Sequence, residues 1–341
     1  KKLDILDTKL NNIIKTIGFI IQNSSTQKEK KKSKSISKHT TSYEIHQREK
    51  RWRKDGYLHD FKIPKIIQEE TKNQQISNFR GANIIESDIN SLKEIEIFIG
   101  KNFNYEHESE YNPKMSFRVV KNRVTILGLN DCDISSLPEQ IGNLRALQIL
   151  TLSNNMLTIL PEGLSKLRFL KELYLEGNNL ISLPENIGNL KNLEYLNLDN
   201  NKLTSLPENI GNLKSLEIIR INNNNLEKLP NMIGNLKNLI EAHLNQNILK
   251  ELPKSIENLI KVEVLSLNNN RLVSLPEEIG KMQELTSLSL LNNNLNTLPT
   301  SIKILGRLQY LWIRGNPLFE KASDSKSKKI IEFLKKGGVK I

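Results

Sequence analysis

Residues 193–215 read LEYLNLDNNKLTSLPENIGNLKS, and this 23-residue frame decides the fold. Its Leu-Pro pair recurs with prolines at Pro138, Pro161, Pro184, Pro207, Pro230, Pro253, Pro276 and Pro299, each exactly one frame from the last. Units begin at Val124, Leu147, Leu170, Leu193, Leu216, Leu239, Val262, Leu285 and Leu308, and the ninth is incomplete. A fixed period held this long is the signature of stacked structural repeats. Such solenoids present an extended concave surface rather than an enclosed active site.

Within the frame, alternation at L-x-L (Leu150/Leu152, Leu173/Leu175, Leu265/Leu267) has the period of a half-buried strand. The spacing predicts short parallel strands centred near Leu150, Leu173, Leu196, Ile219, Ala242, Leu265, Leu288 and Leu311. No such strand buries its apolar face alone, so neighbours must stack. Asn155, Asn178, Asn201, Asn224, Asn247, Asn270, Asn293 and Asn316 sit where the chain leaves each strand. An amide carries donors and an acceptor, so these side chains are read as a structural ladder serving the backbone of the turn. Each proline fixes φ as the chain turns into a short convex segment. The glycine of the "IGNL" stretch (Gly142, Gly188, Gly211, Gly234, Gly280) becomes Ser165, Glu257 and Lys303 elsewhere, so positive φ is not required there.

The pattern closely resembles the leucine-rich repeat family in its 23-residue intracellular form, seen in plant Ras-group proteins, Roco-type GTPases and bacterial and archaeal cytosolic proteins. The resemblance spans roughly Val124 to Phe319. It implies an α/β solenoid: a leucine-rich repeat horseshoe with a curved parallel β-sheet on the concave face and helical N- and C-terminal caps. In that family pattern Cys132 is a tolerated replacement for the first ladder Asn, which makes it a buried framework residue rather than a nucleophile.

Both ends of a solenoid need covering. Upstream, Ile89, Leu92, Ile95 and Ile99 recur at helical spacing from about Glu86 to Ile99, with Gly100 as the stop. Residues 117–120 and 124–127 read as a hairpin around Lys121-Asn122-Arg123. Residues 85–123 are therefore the expected N-terminal cap and 124–319 the repeats, eight full and one partial. Residues 320–341 are the C-terminal cap, with a helix from about Ser325 to Lys336 and Gly337 at its C′ position. Ile330, Ile331, Phe333 and Leu334 are its expected apolar side, and Lys328, Lys329, Lys335 and Lys336 its solvated face.

Residues 1–84 differ in kind. Leu3, Leu6, Leu10, Ile13, Ile17 and Ile20 follow a heptad pattern, so 1–22 reads as an amphipathic helix, docked or in a coiled coil. Residues 23–84 read as a basic linker, largely without structure of its own. Its runs Lys28–Lys34 and Lys50–Lys54, within residues 28–54, suit nucleic acid or an anionic membrane, although short basic runs are more often solvated linker. The chain begins with Lys1, which reads as the start of a fragment.

The formal net charge of +12 is unevenly placed. Residues 1–60 hold 15 Lys/Arg against 7 Asp/Glu, whereas the repeats are slightly acidic. A single cysteine excludes an intramolecular disulfide. Secreted members of the resembled family usually seal their ends with disulfides, so a cytoplasmic setting is expected. No apolar run approaches the ~20 residues of a membrane span. There is no P-loop, G-x-S-x-G, H-E-x-x-H or paired Cys, and His39, His46 and His59 lack cysteine partners, so neither an enzyme nor a metal or other cofactor is expected.

Function is instead read from the outward strand positions. The framework is copied between repeats while these columns diverge. Tyr174, Tyr195, Asn197, Arg220 and His243 fall on neighbouring strands about 4.8 Å apart, with Glu172, Glu176, Asp199 and Glu241 as a negative surround. Tyr310, Trp312 and Arg314 make a second cluster. Tyr, Trp and Arg are the residues that anchor interfaces. The expected function is a non-catalytic scaffold that binds a protein partner, and the resemblance makes small GTPases or other signalling proteins natural candidates. The alternatives are a recognition arm of an enzyme such as a Roco-type GTPase, or an array anchored to nucleic acid or membrane by its basic N-terminus.

Overall fold

The computed structural model describes residues 63–105, 114–319 and 325–341, all within one compact unit, Phe61–Ile341. The expectations for residues 1–62, including the heptad helix, both basic runs and His39, His46 and His59, lie outside the described residues.

A cap precedes the repeats. It comprises helix α1 (Lys65–Thr71), hairpin strands β1 (Ile76–Phe79) and β2 (Ala82–Ile85), helix α2 (Glu86–Ile99) and strand β3 (Asn104–Tyr105). Helix α2 matches its expected limits, and Gly100 ends it in the left-handed conformation at φ 72°. Residues 63–84, linker by composition, instead hold α1 and a hairpin. Ile63, just before α1, and Ile67 within it are buried against Ala146 of the array, and this apolar pair fixes the helix in place.

Strands β4 (Ser116–Val120) and β5 (Arg123–Gly128) form the expected antiparallel hairpin. The turn is only Lys121-Asn122, with φ of 47° and 61°. Two successive positive φ values match the right-handed strand twist, so Arg123 belongs to the strand. There it forms a buried ion pair with Asp88 of α2 (Nε to Oδ2, 3.1 Å), and Asp88 also accepts the Val124 N–H at 2.9 Å. This pair ties the cap helix to the first repeat.

From β5 the sheet continues in strictly sequential parallel order. Its strands are β6 (Ile149–Thr151), β7 (Glu172–Tyr174), β8 (Tyr195–Asn197), β9 (Ile218–Arg220), β10 (Glu241–His243), β11 (Val264–Ser266), β12 (Ser287–Ser289) and β13 (Tyr310–Trp312). Their centres are those the period predicts. On the convex side each repeat makes one 3-10 turn, from Glu139–Asn143 to Thr300–Ile304. Each follows its proline, whose φ is between −64° and −74°.

The Asn ladder has a repeating geometry. Asn201 Oδ1 accepts the Leu180 N–H at 3.0 Å, while its Nδ2 donates to Leu175 O of the preceding repeat and to Leu198 O of its own. One buried amide thus binds two coils together. Cys132 is buried in the first unit and donates to Asn130 O; burial pushes its thiol up from the usual range. The residue before each ladder Asn (Asn154, Gly177, Asn200, Asn223, Gln246, Asn269, Asn292, Gly315) has φ of 54° to 73°. Asn and Gly dominate there because they tolerate the left-handed region.

The "IGNL" glycines do not adopt positive φ; a side chain there would collide with the next coil. A Cβ at Gly211 would lie 2.0 Å from Met232 O. Successive convex turns are also linked by carboxylates. Glu208 accepts the Asn231 and Met232 N–H groups, and Glu277 accepts those of Thr300 and Ser301, which otherwise start their turns unpaired.

Helix α3 (Ser325–Lys336) closes the far end, burying Ile330 and Leu334. Two details differ from expectation. Gly338, not Gly337, is left-handed, at φ 88°. Phe333 is half exposed, with Lys303 Nζ 5.3 Å from its ring centre. Lys340 makes a single parallel bridge to Tyr310.

Candidate functional site

Alternation places three columns of side chains on the concave face, one residue of each per repeat. Register brings Glu172 beside Tyr195, and Tyr174 beside Asn197, which in turn is beside Arg220 and then His243. The central patch is therefore contiguous. It is also more closely packed than the sequence implies. Tyr174, Tyr195, Asn197 and His243 are all buried, at 6 %, 4 %, 4 % and 6 % exposure. The Tyr174 and Tyr195 rings lie 5.0 Å apart. The columns pack laterally because short strands on a curved sheet bring their outward side chains together.

The expected negative surround is largely absorbed into this patch. Tyr174 donates its hydroxyl to Glu172 Oε2 at 2.7 Å. Glu172 is buried, and burial pushes its carboxyl up to about 7, against a smaller opposing effect of that hydrogen bond. Arg220 Nε pairs with Asp199 Oδ2 at 2.8 Å, and the other Asp199 oxygen accepts the Asn222 N–H. His243 Nε2 lies 3.1 Å from Glu241 Oε2. Asn197 Oδ1 accepts the Asp199 N–H at 3.0 Å, so this residue braces its neighbour. Glu176 is half buried.

The second cluster is more accessible. Tyr310 and Trp312 stack with planes 9° apart and ring centres at 6.2 Å, and Lys340 Nζ sits 5.1 Å from the Tyr310 ring centre. Tyr310 is buried, Trp312 half exposed and Arg314 exposed.

A second amide ladder is not evident from the sequence. Asn130 Oδ1 accepts the Ser153 N–H, Asn222 that of Asn245, Asn245 that of Asn268, and Asn268 that of Leu291. By strand alternation these residues belong to the variable surface, yet they hold the upper border of the sheet. Their one signal in the sequence is the recurrence of Asn two residues beyond the x of L-x-L. Among the described residues no group of three or more His, Cys, Asp or Glu is placed to hold a metal ion. Nor is any helix among them long and apolar enough to cross a membrane.

Family comparison agrees with the geometry. A leucine-rich repeat region model matches residues 118–196 and 185–271, and a second leucine-rich repeat model matches 260–318. The chain is a leucine-rich repeat protein. Among solved structures, this leucine-rich repeat array is similar to the plant peptide hormone receptor RGFR1 in complex with RGF2. The identity is 36 %, covering 56 % of this chain and 32 % of that one, with a TM-score of 0.52. It is also similar to the Arabidopsis receptor kinase HAESA in complex with the peptide hormone IDA and the co-receptor SERK1. There the identity is 25 %, over 59 % of this chain and 36 % of that one, with a TM-score of 0.51. The chain thus spans about a third of the length of either receptor. No curated protein matches it.

Proposed function

We propose that the protein is a non-catalytic scaffold that binds a protein partner across its concave sheet. The observation that carries this reading is the concave face itself. Its Tyr, Arg, His and Trp side chains diverge between repeats whose framework is copied, and they are held in place by neighbours on adjacent strands. A surface already ordered before binding loses little side-chain entropy on docking. The similar receptor structures have peptide hormones in their complexes, which favours an extended partner segment lying across several repeats. The family resemblance keeps small GTPases and other signalling proteins as candidates, in a cytoplasmic setting.

The packing also reassigns roles within the proposed site. Asp199 and Glu241 are engaged by Arg220 and His243, so long-range attraction of a basic partner is a lesser contribution. Trp312, Arg314 and the half-exposed Arg220 become the proposed anchors, while Tyr174 and Tyr195 form the floor beneath them. Ser266 is partly exposed on β11, next to His243 and between the two clusters, so Ser266→Arg adds bulk there without deleting an anchor. Expected results are at least a tenfold loss of partner capture for Ser266→Arg and for Trp312→Ala with Arg314→Ala, with unchanged thermal melts. Partner capture that survives both variants rejects the concave face as the docking surface.

A further inference from the structure

The array has a second organised surface, on the edge where each chain segment climbs from its convex turn to its strand. One repeat position there holds Arg145, Arg168, Lys191, Lys214 and Lys237 in five successive units, and all five are exposed. Four of them make the same local turn, donating their backbone N–H to the carbonyl two residues back at 2.8–2.9 Å. Identical backbone at identical repeat positions gives a single row, advancing about 5 Å per repeat.

The row's immediate flanks are neutral or basic. Two positions before lie Asn143, Lys166, Asn189, Asn212 and Asn235; one position after lie Ala146, Phe169, Asn192, Ser215 and Asn238. In the sequence Glu194 and Glu217 follow Lys191 and Lys214 by three residues, and Glu70 lies 3.8 Å from Arg145. Lys191 and Lys237 Nζ contact backbone carbonyls (Asn212 O and Asn258 O, both 3.2 Å), which orders the side chains without cancelling their charge.

Both ends of the row carry an exposed aliphatic side chain. The next repeat after Lys237 places Ile260 at the same position, 55 % exposed. At the other end, α1 packs on this edge through Ile67 and Ala146, and its Ile66 is 60 % exposed. Phe169, the one aromatic residue flanking the cations, is packed into the same small cluster. The edge therefore lacks a stacking platform for bases, which single-stranded nucleic-acid sites use. A row of cations flanked at both ends by exposed aliphatic side chains instead matches the headgroup boundary of a bilayer.

We infer that this edge, Ile66–Arg145–Arg168–Lys191–Lys214–Lys237–Ile260, docks the array side-on to an anionic phospholipid surface. The concave face then stays open to solvent, so binding of lipid and of a protein partner are compatible. This inference does not depend on the concave-site reading.

The test is sedimentation of the full chain with vesicles of equimolar phosphatidylcholine and phosphatidylserine, against vesicles of phosphatidylcholine alone. The edge variant is Arg168→Glu, Lys191→Glu, Lys214→Glu. The control variant, Lys202→Glu, Lys228→Glu, Arg271→Glu, makes the same change in net charge away from this row. Removing one cation from a membrane contact weakens it roughly fivefold. The edge variant should therefore lose at least tenfold in vesicle affinity while the control loses less than threefold. Ile66→Ser with Ile260→Ser should remove the binding that survives high salt. Lys191→Gln with Lys214→Gln gives a milder pair should charge reversal disturb folding. Equal losses in edge and control variants, or undiminished binding by the edge variant, overturn the proposal. So does binding of the edge to duplex RNA with none to the vesicles.

Discussion

Glu172 is a carboxyl on a sheet surface that behaves as a core group. Its pKa is raised from the ordinary value to about 7 by burial. The folded protein therefore holds this proton while the unfolded chain has released it, from about pH 4.5 to about pH 7. Stability falls as pH rises through that window and stays lowered above it. Glu172→Gln should leave stability unchanged near pH 4 and raise it on the order of 3 kcal/mol at pH 8, as read from denaturant titrations at both values. At Asn201 the prediction has the opposite sign. Asn201→Ala strands the Leu180 N–H and Leu175 carbonyl and should cost about 1–3 kcal/mol. The exposed neighbour Thr204→Ala should change stability by less than about 0.5 kcal/mol. Asn197, outward-facing by sequence, is not a neutral comparison, because it is buried and braces Asp199.

At the scale of the element, the convex turns show where spacing between coils is limiting. Gly211→Ala would push a methyl against Met232 O and should destabilise by about 1–3 kcal/mol. Gly306 occupies a later repeat with nothing within 4 Å of an added Cβ. Gly306→Ala should be neutral or stabilising by up to about 1 kcal/mol, since it restricts the unfolded chain. Differential scanning calorimetry on the pair checks both directions. These elements also show what a sequence discloses. Strand centres, turn prolines, the ladder positions and α2 follow from local periodicity, which one chain displays directly. The burial of Tyr174 and Tyr195 depends on two strands a full repeat apart being brought side by side on a curved face, which no local pattern encodes. Helix α1 escapes a pattern reading because its only buried residue is Ile67, with Ile63 just ahead of the helix, too few to set a period. The edge cations Arg145, Arg168, Lys191, Lys214 and Lys237 are aligned by the 23-residue period itself, but their shared exposure and the carbonyl contacts of Lys191 and Lys237 come from the folded stack.

For the array as a whole, each coil meets its neighbours through the same contacts: one strand register, one ladder amide, one close backbone approach. Stability in such a stack is nearly a sum of unit and nearest-neighbour contributions. The two ends differ, being closed by the Asp88–Arg123 pair and α2 on one side and by Ile330 and Leu334 of α3 on the other. The shared contact set has a consequence for how this gene can change length. Excising residues 193–215 joins Asn192 to Leu216 and hands the bonds of Asn201 to Asn224, which already makes the same set one coil later. That shortened chain should fold, with a cooperative melt and a sheet one strand narrower by circular dichroism. Excising one residue fewer would instead leave a single 24-residue coil at the junction, which should lower stability locally while the coils beyond keep their own inward leucines. Inheritance by whole coils thus leaves the stack without a fault, while a change by single residues leaves one at the junction.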